Sequence, residues 1–414
     1  MEKFIIRPLI AILIILFLIP ETGKACTTAL ISGKATINGR PLLFKQRDSG
    51  YLHNRMQLFN DGKYTYMGLC DQEDPKGNEV WGGFNETGFA IINSASYNLN
   101  GDDPSKTKDR EGFVMKRALQ QCATLADFEK LLTTLPRPLG CNTNFGVIDA
   151  QGGAAYYETG NQSFKKYDAN DPQTTPDGYL IRTNFCFSGD RTKDKGIARY
   201  HAAEELFAQA NLTHSFSTRF LLNDVVRSLK HGITGTDLTA QMPANAEKRM
   251  MVPFRDYIVR NSTASTLLIE GITPNENPRL TTLWAIVGSP LTSIAIPLWL
   301  LPETPLPSIV TANKEGSSPL CEWALKWKKR LFPIQAGEGE DYLDLSKLLN
   351  HTENGIWQHT RPVQDAVAKK GENLLREERE KGVNPQKTSE FYQWVDQFIT
   401  NFYQTLQDDY DYYG

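Results

Sequence analysis

Cys26 is the residue of this chain with the most chemistry to offer. It follows Gly23-Lys24-Ala25, and Gly23 and Ala25 hold the two small-residue positions that precede a leader-peptide cut. Cleavage after Ala25 would make Cys26 the first residue of the mature chain. A terminal cysteine carries nucleophile and base together. Its thiol is intrinsically nucleophilic, and its α-amine titrates at about 7.7–8.0, close to working pH, as a general base should. No histidine is then required, which suits a chain whose 6 histidines are scattered without metal-ligand spacing. The reaction expected of such a residue is acyl transfer: the thiol attacks an amide, a thioester forms, and water or an amine takes the acyl group. Neither cofactor nor metal is called for.

The remaining needs are a group to hold the amine, a cation for the thiolate and donors for the oxyanion. Thr27 to Ile31 reads as a strand, Asn38-Gly39 as a turn, and Pro41 to Arg47 as the return strand. That hairpin brings Lys45, Arg47 and Asp48 beside Cys26. Asp48 could accept hydrogen bonds from the amine, and Arg47 or Lys45 could favour the thiolate.

The leader itself has the expected parts: Lys3 and Arg7, then an unbroken apolar run from Leu9 to Ile19, then Pro20. That run is shorter than the about 20 apolar residues a membrane span needs. Residues 1–25 therefore read as a signal peptide, and the protein as exported, periplasmic or secreted. Residues 285–301 are apolar but broken by Pro290 and Pro297, so they suggest buried strands and no stable span. A lipid-anchored cysteine would cap both thiol and amine. It calls for a Leu-like residue at the position of Gly23 and a small one at that of Lys24, so this reading is the weaker one.

Lys plus Arg is 45 and Asp plus Glu is 48, a formal net charge of −3. That balance argues against a nucleic-acid partner, which would call for a basic patch. There are 6 cysteines and no Cys-x-x-Cys pair; with Cys26 as a working thiol, at least one of the others lacks a disulfide partner. Strand patterns recur at Gln57 to Phe59, Tyr64 to Leu69, Val80 to Phe84 and Phe89 to Asn93, with a turn at Asn85-Glu86-Thr87-Gly88. Helical periodicity runs from Gly112 to Leu132 and stops at Pro136 and Pro138. Strands are expected at Asn144 to Ile148, Ala154 to Glu158 and Tyr179 to Thr183, and helices over 194–210 and 216–230. Further strands are expected at Thr266 to Ile269, Thr281 to Val287 and Ile294 to Leu300. The chain beyond Ile334 is helical and charged. Blocks of strands and helices in this order indicate α+β, not alternating βαβ units. The expected division is a catalytic domain over 26–334 and a helical extension over 335–414, with a soft boundary near Pro305 to Lys314.

Cys26-Thr27-Thr28, Ser32-Gly33-Lys34-Ala35-Thr36, Asn38-Gly39-Arg40 and Arg47-Asp48-Ser49-Gly50 resemble the start of cysteine-type N-terminal nucleophile hydrolases. The nearer families are the penicillin acyltransferase-like enzymes, the choloylglycine hydrolases and the dipeptidases that open Cys-Thr-Thr. The likeness continues at Gly83-Phe84-Asn85-Glu86-Thr87-Gly88, at Asn144-Phe145-Gly146-Val147-Ile148-Asp149 with Glu158, and at Arg182-Thr183-Asn184. It implies a four-layer αββα sandwich of two antiparallel sheets. It also implies Cys26 as nucleophile, Asp48 orienting the amine, the Asn184 side chain and the Asn93 backbone N–H as oxyanion donors, and Arg199 bracing the site. Relatives often place Arg three residues before the Asp; here that position is Lys45, with Arg47 adjacent. The substrate class implied is a small amide: an N-acyl amino acid, an acyl amide or a short peptide. A secreted or lipid-anchored binding protein that keeps the fold without the chemistry is the alternative from another class.

Overall fold

The structure, a computed structural model, describes residues 25–413 apart from 102, 104, 106 and 107. The leader expected from the sequence lies, up to Lys24, outside the described residues. In chain order the strands are β1 (Ala25–Ile31), β2 (Leu42–Asp48), β3 (Asn54–Phe59), β4 (Tyr66–Asp71), β5 (Gly83–Asn85), β6 (Ala90–Ala95), β7 (Thr143–Ile148), β8 (Ala154–Thr159), β9 (Phe164–Asp168), β10 (Tyr179–Arg182), β11 (Met251–Pro253), β12 (Thr263–Glu270), β13 (Thr282–Val287), β14 (Ile296–Leu298) and β15 (Tyr342–Asp344). The longer helices are α1 (Glu111–Gln121), α2 (Leu125–Thr134), α3 (Ile197–Leu212), α4 (Pro319–Leu331), α5 (Ile356–Lys381) and α6 (Pro385–Tyr413).

Two antiparallel sheets result. One runs β10-β1-β2-β12-β13-β14, the other β3-β4-β5-β6-β7-β8-β9, and a small ribbon pairs β11 with β15. The sheets face each other, and β1 shows how. Every residue of β1 is buried, so both of its faces are covered, and side chains alternate between them. Thr28 reaches Ser94 on β6, with Oγ1 to Oγ 3.4 Å, so Cys26, Thr28 and Leu30 point between the sheets. Ala29 and Ile31 join the apolar cluster with Phe207 of α3 on the other face. On the far side of the second sheet, Phe128 of α2 stacks edge-on against Phe145 and Tyr157. Helices therefore cover both outer faces, the four-layer α+β arrangement implied by the resemblance.

Some elements depart from the sequence reading. The helix expected over 216–230 is only a short turn at Thr218–Phe220, followed by a wider π-type turn at Leu221–Val225. The chain bends in there because buried Gln46 takes the Val226 carbonyl at 3.0 Å and Arg227 turns inward to the Pro290 and Ser293 carbonyls. The strand expected over 80–84 starts only at Gly83, after Gly82 at φ +139°. β9 was not anticipated; its Phe-Lys-Lys-Tyr-Asp is a charged, partly exposed edge strand. In the C-terminal part, Leu343, Val395, Ile399, Tyr403 and Leu406 join the same apolar cluster as Leu30 and Leu43.

Candidate active site

Cys26 sits at the head of β1, opposite Arg47 of β2. On its other side the pairing with β10 starts only at Thr28 with Arg182. The edge of β1 at Cys26 is thus left to the segment that follows β10, and Asn184 fills it. The Cys26 nitrogen donates to Asn184 Oδ1 at 3.3 Å. Arg199, fully buried on α3, donates to the Cys26 carbonyl at 2.6 Å, to Thr27 Oγ1 at 3.0 Å and to the same Asn184 Oδ1. One guanidinium therefore fixes the backbone of Cys26 and the acceptor facing its nitrogen. Asn184 Nδ2 donates to the Ala95 carbonyl at 2.8 Å. Gly196 opens α3 at φ +79°, and a Cβ there would lie 2.4 Å from an Arg199 guanidinium nitrogen. Only glycine serves both demands.

Three further groups hold Asn184 in place. Arg182 and Glu158 form a buried ion pair at 3.0 Å. The same Glu158 carboxylate accepts from Phe187 N at 2.9 Å, Ser188 N at 2.8 Å and Ser188 Oγ at 2.5 Å. Asn98 brackets Cys186, accepting from its N–H and donating to its carbonyl, each at 2.9 Å. Asn144 donates to the Phe185 carbonyl at 3.2 Å. A buried carboxylate with its bonds filled this way is a rigid anchor.

Asp48 ends β2 with Thr263 Oγ1 donating to Oδ1 at 2.6 Å and Arg260 Nε to Oδ2 at 2.9 Å. Arg47 forms a bidentate buried pair with Asp71, 2.8 Å at each arm, and lies 4.9 Å from the centre of the Trp81 ring. Its charge is already answered by a carboxylate. Lys45 differs. It is buried, and its amine donates to the Trp81 carbonyl and to Asn93 Oδ1, each at 2.6 Å. Burial pushes that amine down to about 8, against an upward pull from Cys26. Its bonds go to neutral acceptors, so its charge is the less compensated of the two. Asn93 Nδ2 donates to Thr143 Oγ1 at 3.1 Å. The pairing of β5 with β6 ends at Gly83 with Ile91, so that edge of β6 has no strand partner at Asn93.

Cys26, Lys45, Arg47, Asp48 and Asn93 line one cleft of about 700 Å³, and Asn184 and Arg199 close on Cys26 from the helix side. The five other site residues expected from the sequence thus gather near Cys26: Arg47 lies opposite it in the sheet, Asn184 and Arg199 bond to its backbone, and Asp48 and Asn93 line the same cleft. Sequence reasoning missed Arg260, Thr263, Asp71, Trp81 and Tyr97. Tyr97 also lines the cleft, and burial pushes its hydroxyl up to about 12. The other five cysteines are free and buried, and burial raises the thiols of all of them, Cys70, Cys122 and Cys321 to about 12. Raised thiols are poor nucleophiles.

A family model described as acyl-coenzyme A:6-aminopenicillanic acid acyl-transferase matches residues 47–281, more than half of the chain. No curated protein matches. Among solved structures, a Caenorhabditis elegans ortholog of N-acylethanolamine-hydrolyzing acid amidase is 16% identical, over 49% of this chain and 88% of that one, with a TM-score of 0.34. Penicillin V acylase from Agrobacterium tumefaciens is 12% identical, over 67% and 87%, with a TM-score of 0.34. Conjugated bile acid hydrolase from Clostridium perfringens, as a variant, is 11% identical, over 66% and 92%, also at 0.34. On the extent of the family match, the chain belongs to the acyl-coenzyme A:6-aminopenicillanic acid acyl-transferase family, among the N-terminal nucleophile hydrolases.

Proposed function

We propose that this chain is an exported N-terminal-cysteine hydrolase that cleaves linear amide bonds through a thioester. Removal of residues 1–25 turns the Cys26 nitrogen from an amide into an amine. Asn184 Oδ1, 3.3 Å away, then holds that amine, and its lone pair takes the thiol proton. The sulfur adds to the substrate carbonyl, and the negative charge on oxygen is met by the Asn184 side-chain N–H and the Asn93 backbone N–H. The amine returns the proton to the leaving nitrogen as the C–N bond breaks. Water, giving its proton to the amine, then adds to the thioester carbonyl; the C–S bond breaks, the acyl group leaves as a carboxylic acid and the amine returns the proton to the sulfur.

In this reading Arg199 braces Asn184 and Cys26, Asp48 steadies the amine from the end of β2, and Lys45 is the cation that favours thiolate. Arg47, spent on Asp71, is a positioning residue for the cleft wall. The substrates proposed are N-acyl amino acids, acyl amides and short peptides. The observation that carries the reading is the bond from the Cys26 nitrogen to an acceptor clamped by Arg199. Acyl transfer to an amine in place of water is a second reading, favoured by the description of the family.

Two measurements test this. Mass analysis of the exported protein should show an N-terminus of Cys-Thr-Thr-Ala. An acyl-amide and dipeptide panel should then reveal turnover, with the acyl group trapped on the Cys26 peptide after acid quench. A mature chain that keeps residues upstream of Cys26 yet turns over substrate would sink the proposal.

A further inference from the structure

A second pocket, of about 280 Å³, lies apart from the cleft. Leu52 and His53, just past the cleft residue Tyr51, form one wall; Asn261, next to Arg260, forms another; α4 supplies Lys326, Lys328 and Lys329. Lys328 is the unusual member. It is only 7% exposed, and among the described residues its ammonium has no hydrogen-bond or ion-pair partner. The charges that act on it, Glu340 and Asp48, do so without bonding it. Glu322, also in the wall, is occupied by His53 at 2.7 Å, and Glu340 is exposed at the rim. The Lys328 side chain is buried while its ammonium opens to the pocket, and with no carboxylate bonding it the charge gains from a ligand there that does. Burial pushes the amine down only to about 8, so it keeps its proton at neutral pH.

We propose that this pocket is a binding site for a small oxyanion, a carboxylate or a phosphate, whose oxygens take the three donors of Lys328. The two lysines beside it on α4 add to the local positive potential. Leu52 and Leu325 line one side, and the volume of about 280 Å³ is ample for a small oxyanion with its hydration water. The site stands independently of the cleavage chemistry, because none of its lining residues acts on the amide in the reaction proposed above.

Thermal unfolding of the mature protein, with Cys26 alkylated, tests this. Sodium phosphate or sodium acetate replaces chloride at constant ionic strength. A ligand bound only by the folded state raises Tm saturably, by about 2–5 °C at concentrations well above Kd. Lys328→Met should match or exceed the wild type in chloride, since it removes a largely buried charge that no carboxylate bonds, and should lose the anion-dependent rise. Lys328→Arg should keep it. A rise with phosphate alone, with acetate alone or with both supports the site and identifies its ligand. Isothermal titration of the wild type gives the same reading without the variants. The absence of saturable binding of either anion, or an equal rise in Lys328→Met, overturns the proposal.

Discussion

Replacing Lys45 by arginine separates the two candidate cations by their titration. The fall of the Lys45 amine from 10.5 to about 8 corresponds to about 3 kcal/mol held against its charged form. The unfolded chain keeps this lysine protonated up to 10.5, the folded chain only up to about 8. The folded state therefore carries the full penalty below pH 8 and sheds it as pH rises from about 8 to 10.5. Catalysis should run the other way. At about pH 9 only about a tenth of Lys45 is charged, so the part of kcat/KM that depends on it falls about tenfold from its plateau. Arginine keeps its charge throughout this range, and the two acceptors at 2.6 Å, the Trp81 carbonyl and Asn93 Oδ1, suit a guanidinium fork. Lys45→Arg should therefore retain activity on the alkaline side where the wild type loses it, and Lys45→Met should be slow at every pH. The assay is kcat/KM against pH with an amide substrate from the panel. An alkaline midpoint unchanged in Lys45→Arg, or a wild-type rate in Lys45→Met at neutral pH, would refute the assignment and return Arg47 to consideration.

Four other outcomes are expected. Cys26→Ala should form no thioester, and one residue retained before Cys26 should lower turnover by about 10²- to 10⁴-fold, because an amide nitrogen cannot take the proton. Full activity of the extended protein would exclude the amine as base. Asn184→Ala should lower kcat by about 100-fold or more, with an unchanged circular dichroism spectrum; a change of only a few-fold would make Asn184 a structural cap. Asp71→Ala leaves the Arg47 guanidinium buried without a partner and should lower stability by about 3–5 kcal/mol in urea unfolding. A loss near zero would mean that Arg47 swings out to water.

The residues legible in the sequence are those whose role is local. Asn85 looked like part of a turn, and it is one: its side chain accepts from Thr87 and donates to the Leu119 and Cys122 carbonyls at the end of α1. Asp149 likewise gathers the N–H groups of Gln151, Gly153 and Leu125. Motifs read as family signatures thus include groups that build the scaffold under Cys26 as well as groups that face it. The cluster around Cys26 was legible only through resemblance, since Asn184 and Arg199 come from far along the chain. Arg260 and Asp71 left no local trace. Asp48 meets Arg260 across 212 positions, and no periodicity or spacing reports a pair so remote. The shortened helix after Phe220 was hidden for the same reason: its end is set by Gln46, on β2. β9 escaped because an exposed edge strand lacks the alternating pattern of a half-buried one.

The burial of β1 bears on the order of events in the life of the chain. Ala25 and Cys26 are 8% and 5% exposed. The bond between them lies in a strand whose Ala25 is paired to Asp48 and whose Cys26 is bonded at both nitrogen and carbonyl. A protease must take the bond it cuts, with several residues on each side, into its own groove. It cannot do so while β1 is locked between β2 and the Asn184 segment. Under the proposed removal of residues 1–25, cutting would therefore compete with folding, and a chain that closed its sheet first would stay uncut. In that reading the yield of cleaved protein would be set by a race between peptidase and sheet closure, and overexpression that outruns the peptidase should accumulate a folded, uncut precursor.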